Sequence, residues 1–312
     1  MRNHAIYFFI LTLLLCLTSC GTAKDKDQIE LMPLVEQQMA LGPRTPGSEA
    51  HSKFIDRTVG MLTAEGWTVR CEEEHYRGKT VRNITADRGT ENSSGKWIVI
   101  GAHYDSRITA DQENLSSNRQ LSVPAANDGA SGVAVLLGLA KTLPKETDKR
   151  ITLAFFDAED QGRVMGWPDW CLGSRLLAEQ YGALERKPDA VIVIDMIGDA
   201  DLNIYRERNS DPALTDELFS IAAKLGCSKQ FINEPKYTMY DDHVPFIEQG
   251  IPAADLIDFD YPWWHTLGDT TDKLSEESLQ AVHKVLWEFL SKSEIRNQKY
   301  EIVTGQKVHR HL

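Results

Sequence analysis

Three apolar runs that each break into acidic residues constrain this chain more than any other feature. Trp97-Ile98-Val99-Ile100 leads into His103-Tyr104-Asp105-Ser106, and Ile151-Thr152-Leu153-Ala154-Phe155-Phe156 into Asp157-Ala158-Glu159-Asp160. Val191-Ile192-Val193-Ile194 leads into Asp195-Met196-Ile197-Gly198. Unbroken β-branched and aromatic runs suit strands that are covered on both faces. Helical patterns lie between them at 130–143 and 172–181. Strand, helix, strand at this spacing predicts a largely parallel sheet with helices on both sides. The expected fold class is α/β: a single-domain α/β/α sandwich with a central mixed, mostly parallel twisted sheet. Ligands in such sheets gather at the carboxyl ends of the strands, and all three acidic clusters sit there. Singly, an Asp after a strand is as readily a turn residue or a helix N-cap. Three clusters, each beside a His or a second carboxylate, point to a site.

Before these runs, 29–41 reads as a helix and Gly42-Pro43-Arg44-Thr45-Pro46-Gly47 as a turn. Ser48 can cap a second helix running to about Gly66, with strands at 67–71 and 80–86. No internal repeat and no Pro- or Gly-rich linker divides the chain. Arg2 and the apolar run from Ala5 to Leu17 form a start too short to span a bilayer comfortably but right for a signal-peptide core. Leu17-Thr18-Ser19-Cys20-Gly21 resembles the bacterial lipobox. That resemblance implies a leader over 1–19, lipidation at Cys20 and a solvated tether over 20–28; an ordinary cleaved signal with an incidental Cys is the alternative. One folded domain then covers 29–295, and 296–312 is a polar tail.

The 312 residues carry 46 acidic side chains against 34 Lys and Arg, a formal charge of -12, which argues against nucleic acid as a partner. Beyond the leader and Cys20, the cysteines are Cys71, Cys171 and Cys227, with no CxxC. A zinc ribbon or thioredoxin-type site is therefore unsupported. One disulfide can form among the three, and spacing does not pair them.

Catalytic zinc takes imidazole nitrogen and carboxylate oxygen and keeps one position open. The candidate ligands are His103, Asp128, Glu159, Asp160, Asp195 and His265. Asn127-Asp128-Gly129-Ala130-Ser131-Gly132 sets a carboxylate just before a helix that starts with small, close-packing residues. Glu159 and Asp160 are adjacent, so their side chains point different ways, and one can bind a metal while the other handles protons. Trp264-His265-Thr266 has Asp269 nearby.

Taken in order, Gly42–Ser48, Ala102–Ser106, Asn127–Gly132, Phe156–Asp160, Asp195–Gly198 and His265–Asp269 resemble the zinc-aminopeptidase superfamily over about residues 30 to 290. That superfamily includes two-zinc aminopeptidases and the animal-type glutaminyl cyclases, which also occur in some bacteria. Tyr240-Asp241-Asp242-His243 and Trp263-Trp264-His265-Thr266 resemble the cyclase branch. Asp241 as a cap of the short helix through Glu248, and Trp264 as a packing residue, are the alternatives.

The cyclase resemblance implies conversion of N-terminal Gln peptides or proteins to pyroglutamate with release of ammonia. It implies one zinc on Asp128, Asp160 and His265, and Glu159 as general acid/base. Asp195 would face Asp241 and share a proton with it. Trp264 and Trp167 would wall the substrate, with Trp170 competing for the second place. The peptidase resemblance instead implies a second zinc on His103 and Asp195, with Asp105 orienting His103. A peptide-binding lipoprotein without catalysis is the reading from another class. In each, Cys20 anchors the protein to a membrane in the bacterial cell envelope, expected to be its periplasmic face. The chain departs from the superfamily in Asp160, where Glu is common, and in Asp255, where animal cyclases carry His. It also lacks the Cys beside His103 needed for the disulfide of the animal enzymes. Nothing in the motifs specifies an oligomeric state.

Overall fold

The computed structural model describes residues 29–89, 95–162 and 169–291. The expected leader, Cys20 and tether, Trp167, and the polar tail lie outside the described residues. The strands are β1 (Thr68–Cys71), β2 (Glu74–Tyr76), β3 (Lys79–Val81), β4 (Ile84–Arg88), β5 (Trp97–His103), β6 (Arg150–Phe156), β7 (Ala190–Asp195), β8 (Ile204–Arg206), β9 (Phe231–Pro235) and β10 (Ala253–Ile257). The helices are α1 (Met32–Met39), α2 (Glu49–Ala64), α3 (Ala130–Thr142), α4 (Leu172–Gly182), α5 (Pro212–Lys224), α6 (Val244–Glu248) and α7 (Glu276–Ser291).

The central sheet has six strands in the order β1-β4-β6-β5-β7-β10. β6, β5, β7 and β10 are parallel to their neighbours in that series, while β4 pairs antiparallel with both β1 and β6. The three apolar runs are β5, β6 and β7, as expected. Their residues alternate between two cores. Ile98, Ile100, Leu153, Phe155, Ile192 and Ile194 join the core under α1, α2, α3, α5 and α7. Trp97, Val99, Ala154, Phe156, Val191 and Val193 pack against Leu177, Ala178, Tyr181 and Phe246 of α4 and α6. Burial on both faces is why these runs show no polar alternation.

Ser48 caps α2 by accepting the His51 amide at 3.1 Å. The expected strand over 80–86 is instead broken: β3 pairs with β2 in a separate ribbon, and β4 enters the main sheet. The break falls at Arg82-Asn83, where Asp157 Oδ2 accepts the Arg82 amide at 2.8 Å and Asn83 Oδ1 accepts the Asp157 amide at 3.0 Å. Cys71, Cys171 and Cys227 are free thiols, so no disulfide joins them.

From the centre of the sheet, β5 connects through α3 to β6 on one side, and β7 leads on towards β10 on the other. The carboxyl ends of β5 and β7 therefore form a topological switch point, the crevice where open α/β sheets bind ligands. Close approach there depends on Gly132. A Cβ at Gly132 would lie 2.6 Å from the Ile194 carbonyl oxygen and 2.9 Å from Ala102 Cβ. Overpacking of this kind costs about 1–3 kcal/mol, against ~1 kcal/mol gained when Ala replaces a helical Gly. Gly132→Ala should therefore lower the urea midpoint. Gly60→Ala, on the exposed side of α2 with open space at its Cβ, should raise it. Equal shifts in one direction would contradict this packing of α3.

Candidate active site

Asp128 is the pivot of the site. Its Oδ1 lies 3.1 Å from His103 Nε2, and its Oδ2 lies 3.6 Å from His265 Nε2. His103 ends β5 and also meets Asp195 Oδ1, at the end of β7, at 3.2 Å. His265 meets Asp160 Oδ1 at 2.9 Å. Two groups of metal-ligating atoms result: Asp128, Asp160 and His265, and His103, Asp128 and Asp195. The first is the set expected for a single zinc; the second adds Asp128 to the pair His103 and Asp195 expected for a second metal.

Both sets fit a cation. Asp128 Oδ2 and Asp160 Oδ2 are buried and have no hydrogen-bond partner, an arrangement that is expensive unless a positive charge faces them. Burial pushes Asp160 up to about 6, opposed by His265 and assisted by Asp128. Burial acts against a charged His265, yet Asp160 and Asp111 raise it to about 9. His103 is raised well above the usual range despite its burial, by Asp105, Asp128 and Asp195. The carboxylates thus demand positive charge at the two places where a metal would supply it.

Local chain geometry explains the motifs around Asp128. Asp269 accepts the amides of Asn127 at 2.8 Å and Asp128 at 3.1 Å, and also the Tyr261 hydroxyl at 2.7 Å. Asn127 Oδ1 accepts the Gly198 amide at 2.7 Å, tying this turn to the end of β7. At Gly129, with φ 100°, an added Cβ would sit 3.0 Å from His103 Cε1. Arg44 is fully buried beneath, donating to the Tyr104 carbonyl at 3.0 Å and the Ala125 carbonyl at 2.8 Å. Burial lowers its pKa to about 10 despite Asp269, Asp105 and Asp128, so it stays charged at neutral pH.

Asp105, expected to orient His103, has Oδ1 3.5 Å from His103 Nδ1. It also accepts the amides of Glu159 at 3.0 Å and Asp160 at 3.3 Å, so it ties the loop after β5 to the loop after β6. Glu159 is buried beside Asp160 and joins neither ligand set. Burial, then Asp160, Asp242 and Asp241, push it well above the usual carboxylate range against the pull of His103. Asp195 is raised to about 7 by burial and Asp241, with His103 opposing. Asp241 does not cap α6 through its side chain; it forms a buried group with His243 and Asp255. Burial and then Asp241 drive Asp255 well above the usual range. Asp241, expected to pair with Asp195, thus stands in a larger buried group with His243 and Asp255.

A cavity of ≈ 330 Å³ opens over these groups, bounded by Trp264, Trp170, Phe259, Met239 and Tyr240. Trp264 stacks on His265 with ring centres 3.8 Å apart, and Trp170 lies parallel to the same imidazole at 6.0 Å. Trp264 thus occupies the wall expected of it. Of the two candidates for the second wall, Trp170 is the one within the described residues. It fits because Gly162 has no side chain, since a Cβ there would fall 2.2 Å from the Trp170 indole.

Two positioning residues were missed in the sequence. Asp111 Oδ1 accepts from His265 Nδ1 at 3.0 Å, which directs Nε2 into the ligand set. Arg107 donates to Asp111 Oδ2 at 2.6 Å and to the Asp160 carbonyl at 2.9 Å, with its guanidinium 4.7 Å from the Trp170 ring centre. The Arg107-x-x-x-Asp111 spacing was a usable signal only once its loop was known to reach His265.

The profile of peptidase family M28 matches residues 83–290. A glutaminyl-peptide cyclotransferase of Boiga irregularis is 26% identical, covering 89% of this chain and 83% of its own. The structure of a Bacteroides thetaiotaomicron glutaminyl cyclase bound to N-acetylhistamine superposes with a TM-score of 0.80 at 28% identity, over 85% of this chain and 97% of that one. A leucine aminopeptidase precursor of Bacteroides thetaiotaomicron gives the same TM-score of 0.80, identity of 28% and coverages of 85% and 97%.

Loss of an outer partner of a ligating His typically weakens metal binding by roughly 10–100-fold. Asp111→Ala should show that loss for zinc in competition with a chelator, measured where the variant, weakened by loss of the Arg107 pair, is still folded. An unaltered zinc affinity would remove Asp111 from this role.

Proposed function

The chain belongs to peptidase family M28, and from that membership we propose that it is a glutaminyl-peptide cyclotransferase, closing an N-terminal Gln to pyroglutamate with release of ammonia. The observation that carries this reading is that Asp195, bonded to His103, and Asp241 line the same cavity. Burial and Asp241 raise Asp195 to about 7, so its carboxyl is partly protonated at neutral pH and can donate a hydrogen bond. The curated and structural relatives named as cyclases support the same branch.

Asp128, Asp160 and His265 would hold a zinc ion, which would supply Lewis-acid polarisation of a carbonyl. Glu159, with its raised proton affinity, takes a proton from the α-amine as that nitrogen bonds to the side-chain amide carbonyl carbon, Cδ. It returns the proton to the γ-amide nitrogen as the old carbon–nitrogen bond breaks, so ammonia leaves and no water is consumed. Asp195 and Asp241, sharing a proton, offer a hydrogen bond to the departing nitrogen. Trp264 and Trp170 hold the side chain folded back on the amine, and that enforced proximity is much of the catalysis. They also limit water, whose attack would give glutamate.

The set His103, Asp128 and Asp195 favours a second reading, a two-zinc aminopeptidase, because its ligand inventory is complete. A peptide-binding lipoprotein without turnover is the reading outside enzymology. Lipidation of Cys20 and residence in the bacterial envelope, on the periplasmic face, belong to the proposal and rest on the lipobox-like start alone.

Incubated with the protein, a Gln-initiated peptide should lose the mass of ammonia, while a Leu-initiated peptide stays intact. Glu159→Gln should reduce the rate by about 10²–10⁴-fold, the usual contribution of general acid–base catalysis. Release of free Leu would install the aminopeptidase instead, and tight binding of either peptide without change would install the binding protein.

A further inference from the structure

Behind the cleft, a second set of donor atoms converges that the cyclisation chemistry only half uses. Glu159, Cys171, Asp241 and Asp242 each place one donor atom within 4.8 Å of all the others. Cys171 is fully buried, and Asp242 and Asp241 are only 1% and 5% exposed. The Cys171 thiol donates to Glu159 Oε1 at 3.2 Å. Asp241 Oδ2 and Asp242 Oδ2 have no hydrogen-bond partner. Their other oxygens are occupied, Asp242 Oδ1 by the Ser174 hydroxyl and Asp241 Oδ1 by the Asp242 amide.

The backbone holds this group together. Cys171 stands in the left-handed region, with φ 56°. Its amide donates to the Glu159 carbonyl at 3.0 Å, followed by Leu172 to Ala158 at 3.2 Å and Gly173 to Asp157 at 2.9 Å. That short ladder fixes Sγ beside the Glu159 carboxylate. Gly173 is required for it, since a Cβ there would fall 2.4 Å from the Asp157 carbonyl oxygen.

We propose that Glu159, Cys171, Asp241 and Asp242 form a separate site for a thiophilic divalent cation, and that filling it inhibits the enzyme. Three carboxylates and a thiolate satisfy a tetrahedral ion such as zinc, whose bonds of about 2.0–2.3 Å space its donors by roughly 3.3–3.8 Å, or the larger and softer cadmium, whose donors stand somewhat further apart. Sγ and Oε1 already stand at 3.2 Å. The set Asp128, Asp160 and His265 contains no sulfur, so the softer ion distinguishes the two places. On binding, the thiol proton leaves to solvent and a metal–sulfur bond forms, with no change of oxidation state. Glu159 and Asp241 become ligands and are lost to proton transfer. The inhibition rests on the cyclase role of Glu159; the binding does not.

The test is a cadmium titration of the zinc-loaded full chain, followed in the ultraviolet by the sulfur-to-cadmium charge-transfer band and, in parallel, by cyclisation of a Gln-peptide. The band should rise to an equimolar end point, and cyclisation should fall in step with it. Cys171→Ser should abolish the band and make inhibition require about 10–100-fold more cadmium. Asp242→Asn, which retains the thiol, should shift the band to higher cadmium by a similar factor. Absence of the band, or its persistence in Cys171→Ser, overturns the site whether or not the chain cyclises Gln. A Cys171-dependent band in a protein that leaves Gln-peptides unchanged upholds the site and overturns the cyclase reading.

Discussion

One buried carboxylate shared between two imidazoles sets the terms for the rest of this molecule. Asp128 reaches His103 on one side and His265 on the other, and it is 2% exposed. A charge in that position is tolerated only with opposite charge and hydrogen bonds close by. Arg44 lies beneath it, Asp269 clamps its turn, and Asn127 ties that turn to the end of β7. The backbone carries part of the cost. Ala125, Ala158, Cys171, Met196 and His265 all have φ between 49° and 65°. Each is a non-glycine residue in the left-handed region, a conformation costing of order 1–3 kcal/mol. Each lies at or near a functional carboxylate or imidazole. Strain and like-charge crowding are concentrated on one rim of the sheet, and the two apolar cores beneath it are free of both.

Division of labour among the carboxylates follows from their neighbours. Asp128 falls below its ordinary range because, against its burial, the His103 bond and the charges of His103 and His265 act together. Asp195, bonded to the same imidazole, rises to about 7 because it is also buried and faces Asp241. Glu159 is also raised, well above the usual carboxylate range, by burial and the charge of Asp160. Carboxyl groups within a single cleft are thus driven in opposite directions by position alone, the basis of the separate roles proposed for them.

Much of this was legible in the residues. The unbroken runs of β5, β6 and β7 gave away strands buried on both faces, and the acids that follow marked the rim. Asp128, Asp160 and His265, far apart in the chain, were gathered by resemblance and are brought together in space. What stayed hidden depended on long-range contact. Nothing around Asp111 announces that its loop returns to His265, and Arg107 looks like an ordinary surface charge until its 4% exposure is known. The break at Arg82-Asn83 was concealed because both halves have strand composition, and only the Asp157 anchor separates them. Asp255 was read as a departure, whereas packing makes it a member of the Asp241 cluster.

The central claim is that one metal position is catalytic and that the other holds a proton. Crystals of the protein grown with equimolar zinc, measured for anomalous scattering at the zinc edge, test it directly. The account predicts a single peak bounded by Asp128, Asp160 and His265. A second peak of comparable height between His103, Asp128 and Asp195 would contradict it.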